Sequence, residues 1–114
     1  MNKETEKKIQ QFQMIEQQLE NILMQKQNFQ VQLSENENAS EELKKTKKDP
    51  YKIIGAIMVS SDKENLLNEL KEQEEILNLR LKTLEKQEKS LKDKAESLQN
   101  ELMEELKWNN WMEW

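Results

Sequence analysis

The side chains with the greatest capacity for binding lie together in the segment LKWNNWMEW. All three tryptophans of the sequence, Trp108, Trp111 and Trp114, fall in this segment, and Met112 lies between the last two. On an α-helix, positions three apart drift by about 60° per step, so a helix would keep the three indoles on about a third of its circumference. Together they would form an apolar patch as large as those that mark binding surfaces, with Met112 as an adaptable neighbour. The pattern predicts contact with another protein.

Two other interpretations of this segment stay open. The tryptophans could pack on Met1 and Ile9 as a structural cap, or they could form an unstructured tail. An anchor at a membrane interface is a weaker alternative, because the charged and amide side chains between the tryptophans oppose it.

The rest of the sequence offers little for catalysis. There is no His and no Cys, which removes the commonest general base, the commonest metal ligand and the thiolate nucleophile. A single Gly rules out a glycine-rich phosphate loop. The carboxylates are scattered along polar stretches, where they serve solvation. We therefore expect no enzyme, no metal site and no cofactor.

Charge and hydropathy narrow the class of partner. The net charge is −5, whereas a general nucleic-acid binder carries a basic face. The one basic run, KKTKK at residues 44–48, is explained by a helix C-terminus, although an arm that docks on nucleic acid is an alternative. No apolar run approaches the ~18 residues of a membrane span, and MNKETEKKIQ lacks the apolar centre of a signal peptide. We expect a cytoplasmic protein that binds neither nucleic acid nor membranes.

Two heptad seams predict the elements that carry these side chains. Seam positions alternate in spacing between three and four, which is the pattern of a coiled coil. In the first segment they are Phe12, Ile15, Leu19, Ile22, Lys26, Phe29, Leu33, Asn36, Ser40 and Leu43. In the second they are Leu67, Leu70, Glu74, Leu77, Leu81, Leu84, Glu88, Leu91, Ala95, Leu98 and Leu102. Both segments are predicted to be long helices.

The boundaries of these helices follow from local signals. The first helix must stop before Pro50, because a proline pushes the residue ahead of it out of the α region. The run SDKE is a capping box, with Ser61 as N-cap and Glu64 reaching back, so it starts the second helix. The sequence predicts a single domain over residues 1–114, with helices at about 4–46 and 62–108 and a Trp-rich end at 108–114.

A β-hairpin is predicted between the helices, at residues 51–60. Tyr, Ile and Val favour strands, and Gly55 followed by Ala56 suits a two-residue turn with Gly first. The residues that define this hairpin are Tyr51, Ile53, Ile54, Gly55, Ile57, Met58 and Val59. Both faces are partly apolar, and a lone hairpin is marginal in water. We expect it to join a sheet supplied by other chains.

A turn at Gly55 would fold the two helices into an antiparallel coiled coil. The register that pairs polar seam positions sets Lys26 beside Glu88 and Ser40 beside Glu74. Polar seam residues commonly specify register at some cost in stability. Asn36 faces Leu77 in this register and is left as a mismatch.

The order helix, β-hairpin, helix, with YKIIGAIMV at its centre, resembles the prefoldin beta subunit. QLSENENASEEL, DKENLLNEL and LRLKTLEKQEKSL extend the similarity over nearly the whole chain, and LEKQE resembles archaeal members. The fold class this implies is mostly α, a long antiparallel coiled-coil hairpin with a central β-hairpin that joins an intersubunit β-barrel.

The resemblance also implies a function. Such proteins form a hexamer of two alpha and four beta subunits, bind unfolded client proteins without ATP at the tips of their coiled coils, and deliver them to a group II chaperonin. The tip residues on this sequence would be Ile9, Phe12, Trp108, Trp111, Met112 and Trp114. The alternative is a structural coiled-coil scaffold that binds no client.

Overall fold

The computed structural model of the protein describes residues 2–112, and the side chains of residues 2–107. Two long helices, α1 (Lys3–Lys45) and α2 (Lys63–Met112), flank two short strands, β1 (Tyr51–Ile54) and β2 (Ile57–Ser60). The strands pair antiparallel with each other. This confirms the predicted fold of two long helices with a central β-hairpin.

The start of α2 differs from the prediction by one residue. Asp62, and not Ser61, is the N-cap: its Oδ1 accepts from the backbone N–H of Glu64 at 3.3 Å, and its carbonyl accepts the helical bond from Leu66 at 3.0 Å. The N–H of Ser61 donates instead to the carbonyl of Pro50 at 2.9 Å. The N–H of Ser61 thus extends the hairpin ladder, and it is not available for the bond from the Glu64 side chain that a capping box requires.

The end of α1 is stabilised from α2. The ammonium of Lys63 donates to the carbonyls of Lys44 and Thr46, at 3.2 and 3.0 Å. These carbonyls lie where the helix can no longer supply its own N–H partners. Lys44 and Lys45 occupy the last turn, where positive charge complements the helix dipole. This arrangement accounts for part of the basic run at residues 44–48.

The chain divides into two compact units, one comprising Met1–Lys26 with Thr83–Trp114 and the other Gln27–Lys82. In the first unit the buried core consists of Ile15 and Ile22 from α1 and Leu84 from α2. In the second unit Leu77 is the buried apolar side chain. Each core lies on the predicted seam positions, because helical positions spaced by three and four fall on one face.

The burial pattern agrees with the predicted seams at all positions but one. Every seam residue of α1 is buried or half-buried, and so is every seam residue of α2 except Glu74. In the second unit, the guanidinium carbon of Arg80 lies 5.9 Å from the centroid of the Phe29 ring, a cation–π contact beside the seam.

The expected mismatch at Asn36 is wrong. Asn36 is buried, and its side-chain Nδ2 donates to the backbone carbonyl of Leu70 at 3.0 Å. A buried amide without a partner would be costly, whereas a backbone carbonyl has a second lone pair to offer. The seam therefore accommodates a polar side chain opposite apolar ones.

Candidate functional site

The β-hairpin has the geometry that its sequence predicts. Ile54 pairs with Ile57 and Ile53 with Met58 across the two strands. Gly55 has a φ of +59°, and no other residue of the described chain has a positive φ. A positive φ at only the first central residue is the signature of a type II′ turn, whose twist matches that of the strands.

The apolar side chains of this hairpin are exposed on both faces. Their exposed fractions run from 43% to 70% in the single chain, and the residues concerned are Tyr51, Ile53, Ile54, Ile57, Met58 and Val59. Single exposed apolar residues are ordinary, but six within one short hairpin, divided between its two faces, mark an interaction site. We name these six residues the hairpin surface.

The hairpin is also fastened to α2 in its own unit. Lys52 Nζ lies 2.7 Å from Glu69 Oε2, which joins β1 to the helix through an ion pair. The contact is partly exposed, so it orients the hairpin more than it stabilises the fold. The ion pair thus attaches the strand that carries part of the hairpin surface to α2.

The residues predicted to form the tips lie in the first unit. Ile9 and Phe12 are half-buried near the start of α1. The backbone of α2 is helical through Trp108, Trp111 and Met112. The side chains of these three residues, and Trp114 as a whole, lie outside the described residues.

A polar cluster that sequence reasoning missed joins the two helices beside these positions. Thr5 Oγ1 lies 2.7 Å from Glu105 Oε2, and the ammonium of Lys8 donates to Glu105 Oε1. Lys8 also lies 3.4 Å from Glu101 Oε2. Continuing the spacing of the seams past Phe12 leads to Lys8 and Thr5, and continuing it past the last apolar residue of α2 leads to Glu105. The seam spacing could therefore have indicated this cluster. The seams were recognised from apolar residues, however, and these three positions are polar.

The N-cap of α1 also contacts this cluster, through Thr5. The backbone N–H of Thr5 donates to Oδ1 of Asn2 at 2.8 Å, so Asn2 is the N-cap. The Thr5 hydroxyl lies 2.8 Å from the same oxygen. A hydroxyl has a single proton, and the charged carboxylate of Glu105 is the stronger acceptor for it.

The contacts of the cluster shift the pKa values of its charged members. Hydrogen bonds from Lys8 and Thr5 hold the pKa of Glu105 below its ordinary value, although burial acts in the opposite direction. The hydrogen bond to Glu105 raises the pKa of Lys8. The stabilisation from Glu105 is therefore lost as pH falls through its lowered pKa, and that from Lys8 as pH rises through its raised pKa.

The predicted register pair lies together in the first unit. Lys26 Nζ is 3.4 Å from Glu88 Oε2, and Lys92 lies at the same distance from Glu88 Oε1. Burial disfavours the charged form of Glu88, but the hydrogen bonds from Lys92 and Lys26 outweigh it and lower the pKa of this carboxyl. Glu88 thus accepts hydrogen bonds from one lysine on each helix.

The second predicted register pair lies in the other unit and shows no such contact. Ser40 is half-buried, but Glu74 is exposed. No hydrogen bond or ion pair joins these two side chains, both of which the structure describes. A glutamate at the edge of a seam can place its carboxylate in water, which avoids the cost of desolvation.

The described part of the chain contains neither a metal-binding cluster nor a membrane-spanning helix. No group of three or more acidic, His or Cys side chains there is arranged to hold a metal ion. Among the same residues, no helix is long and apolar enough to cross a membrane.

Comparisons with known proteins agree with this geometry. Residues 6–109 match the family model described as "Prefoldin subunit". The chain is 39% identical over 94 residues to a prefoldin subunit beta of Thermococcus onnurineus, with 81% of each chain covered. It is 36% identical over 97 residues to one of Pyrobaculum islandicum, with 83% of this chain and 78% of the other covered.

A solved structure extends the agreement to three dimensions. The crystal structure of the prefoldin beta subunit from Thermococcus strain KS-1 superposes with a TM-score of 0.83 and 33% identity, covering 92% of this chain and 94% of that one. The helices, the hairpin between them and the sequence therefore point to the same relatives. The chain belongs to the prefoldin subunit family.

Proposed function

We propose that this chain is a beta-type subunit of an ATP-independent chaperone, which assembles with alpha-type prefoldin subunits through its hairpin surface. The observation that carries the proposal is the exposure of the hairpin surface on both faces of a two-stranded sheet. Family membership supports the chaperone role.

The hairpin would be more stable in an assembly than in the single chain. A two-stranded hairpin is marginal in water by itself, and two strands cover neither of their own faces. Both outer strand edges also carry unpaired backbone groups, which are ready to extend a sheet. Hairpins from neighbouring subunits would hydrogen-bond to these backbone groups and bury the apolar side chains at the same time. A hexamer of two alpha and four beta subunits built on such a shared barrel meets both needs.

We place the contact with unfolded clients in the first unit, at the start of α1 and the end of α2. Support comes from α2, which remains helical for two turns beyond Glu105, up to Met112. The sequence of those turns contains Trp108 and Trp111, and aromatic anchors dominate the energetics of many protein contacts. Ile9 and Phe12 would supply further apolar surface. Delivery to a group II chaperonin in the cytoplasm would follow, without a cofactor and without nucleic acid.

One reconstitution tests this proposal. The chain is mixed with an archaeal alpha-type subunit, and the mass of the complex is measured by light scattering. The complex is then added to a chemically denatured client in the absence of nucleotide, and client aggregation is followed by turbidity. We expect a hexamer that suppresses aggregation in proportion to its concentration.

Two results would contradict the proposal in different ways. Failure to assemble with any alpha-type subunit would remove the role of the hairpin surface. Assembly without suppression of aggregation would leave a structural coiled-coil scaffold as the better description. Either subunit alone at the same concentration serves as the control.

A further inference from the structure

The most deeply buried side chain of the first unit is polar. Thr5 has no exposed surface, and it is the one side chain in the described part of the chain that is fully buried. It lies in the first turn of α1, where helices ordinarily fray because their N–H groups lack partners. A polar group buried there is tolerated because it is hydrogen-bonded. The hydrogen bonds of Thr5 therefore help to hold this turn in place.

The contacts that hold it are polar and cross between the helices. The apolar part of the seam ends at Phe12 on α1 and at Leu102 on α2. Beyond those residues the hydroxyl of Thr5 and the ammonium of Lys8 bind the two oxygens of Glu105. One carboxylate therefore receives two donors from consecutive turns of the facing helix.

We propose that Thr5, Lys8 and Glu105 form a polar latch that closes this end of the coiled coil, and that salt or acid opens it reversibly without unfolding the rest of the seam. Opening would free the first turns of α1 and expose Ile9 and Phe12, which are half-buried when the latch is closed. The latch itself stands on the observed contacts. Its consequence, a larger apolar surface for unfolded clients, rests on the proposed function.

Salt should affect the polar latch and the apolar seam differently. The side chains of Lys8 and Glu105 are 27% and 28% exposed, so mobile ions can reach their pair. At ~1 M salt the screening length falls to ~3 Å, which weakens such a pair. Apolar burial is not weakened in this way. Salt should therefore loosen the end of the coiled coil and spare its middle.

A fall in pH should also open the latch, through Glu105. Glu105 is faced by Lys8 and Thr5 from α1, and Glu101 on its own helix shares Lys8. Protonation of Glu105 removes the negative charge that strengthens both hydrogen bonds, and this happens as pH falls through its lowered pKa.

Hydrogen exchange of the full chain, measured by mass spectrometry, tests the latch. Thr5→Val keeps the shape of the side chain and removes its hydroxyl, whereas Thr5→Ser keeps the hydroxyl as the matched control. We expect Thr5→Val to speed amide exchange in residues 3–12 by roughly tenfold, because a charge-assisted hydrogen bond is lost. Thr5→Ser, which loses only a buried methyl group, should exchange closer to wild type than Thr5→Val, and amides near Leu84 should be unchanged in both variants.

A salt titration provides the second arm. In the wild type, ~1 M NaCl should accelerate exchange in residues 3–12. In the double variant Lys8→Met/Glu105→Gln, exchange should already be fast and should respond less to salt than in the wild type, because the pair that salt would screen is gone. A comparable salt response in both proteins would overturn the electrostatic part of the latch.

Other outcomes count against the proposal as a whole. Wild-type exchange in Thr5→Val, or acceleration spread evenly along α1, would show that no local latch exists. The client assay is read separately. If neither the wild type nor Thr5→Val suppresses aggregation in the reconstituted complex, the proposed function fails, while the exchange data still decide the latch.

Discussion

Replacing both Ile54 and Ile57 with glutamate should dissolve the assembly while leaving the helices intact. The two side chains pair with each other beside the turn, and they are 56% and 66% exposed in the single chain. Full burial of an isoleucine is worth about 1.5–3 kcal/mol, so burying what remains exposed of both contributes about 2–4 kcal/mol per subunit. Since 1.4 kcal/mol corresponds to a factor of ten, their loss weakens association by about 30- to 700-fold. Desolvation of the two carboxylates adds to this effect.

The assay is light scattering of the chain mixed with an alpha-type subunit, together with circular dichroism of the chain alone. Smaller species with undiminished helical signal are the expected result. A matched control is Met14→Glu/Met24→Glu, which places the same charges at two side chains on α1 that are 61% and 63% exposed. This control should assemble like the wild type, because neither residue belongs to the hairpin surface.

Two results would refute the reasoning. An unchanged complex in the Ile54/Ile57 variant would mean that the hairpin surface is not an interface. Equal disruption by the control pair would mean that added charge, and not the position of the charge, weakens the assembly.

Three further predictions concern the helices. Leu84→Ala should cost about 2–5 kcal/mol in chemical denaturation because it opens a cavity in the core, whereas the exposed Met103→Ala should stay within ~0.5 kcal/mol. Lys26→Met and Glu88→Gln should show non-additive effects on the midpoint of thermal unfolding in a double-mutant cycle, and additive effects would argue against their pairing in solution. Replacing the three tryptophans of residues 108–114 with serine should leave the melting temperature and the oligomer nearly unchanged but reduce suppression of client aggregation. A large loss of stability in that variant would identify them as a structural cap, and full activity would make them dispensable.

The features that could be predicted from the sequence depend on local rules. The seam from Phe12 to Leu43 is visible because a coiled coil repeats one spacing, and burial follows it at each position. The turn at Gly55 is visible because few residues tolerate a positive φ. The pairing of Lys26 with Glu88 follows from that turn, since an antiparallel hairpin relates positions on its two arms by a near constant sum.

The features that could not be predicted depend on which groups meet across the two helices. Ser61 has the residue type of an N-cap, but its N–H continues the hairpin ladder to Pro50, and Asp62 caps the helix one residue later. Glu74 occupies a seam position by spacing, yet its long side chain reaches water. Local patterns do not determine these outcomes, because each depends on surroundings that exist only in the folded chain.

The sequence by itself determined the two helices, the hairpin between them and the apolar character of both hairpin faces, since helical periodicity, turn chemistry and β propensity act over a few residues. Only the tertiary structure decided how the polar seam positions are satisfied. The side chain of Asn36 donates to the carbonyl of Leu70. The side chains of Thr5 and Lys8 donate to Glu105, which lies about a hundred positions away in the sequence. A buried polar side chain is stable only when a partner stands at hydrogen-bond distance, and that distance is set by the packing of the two helices against each other.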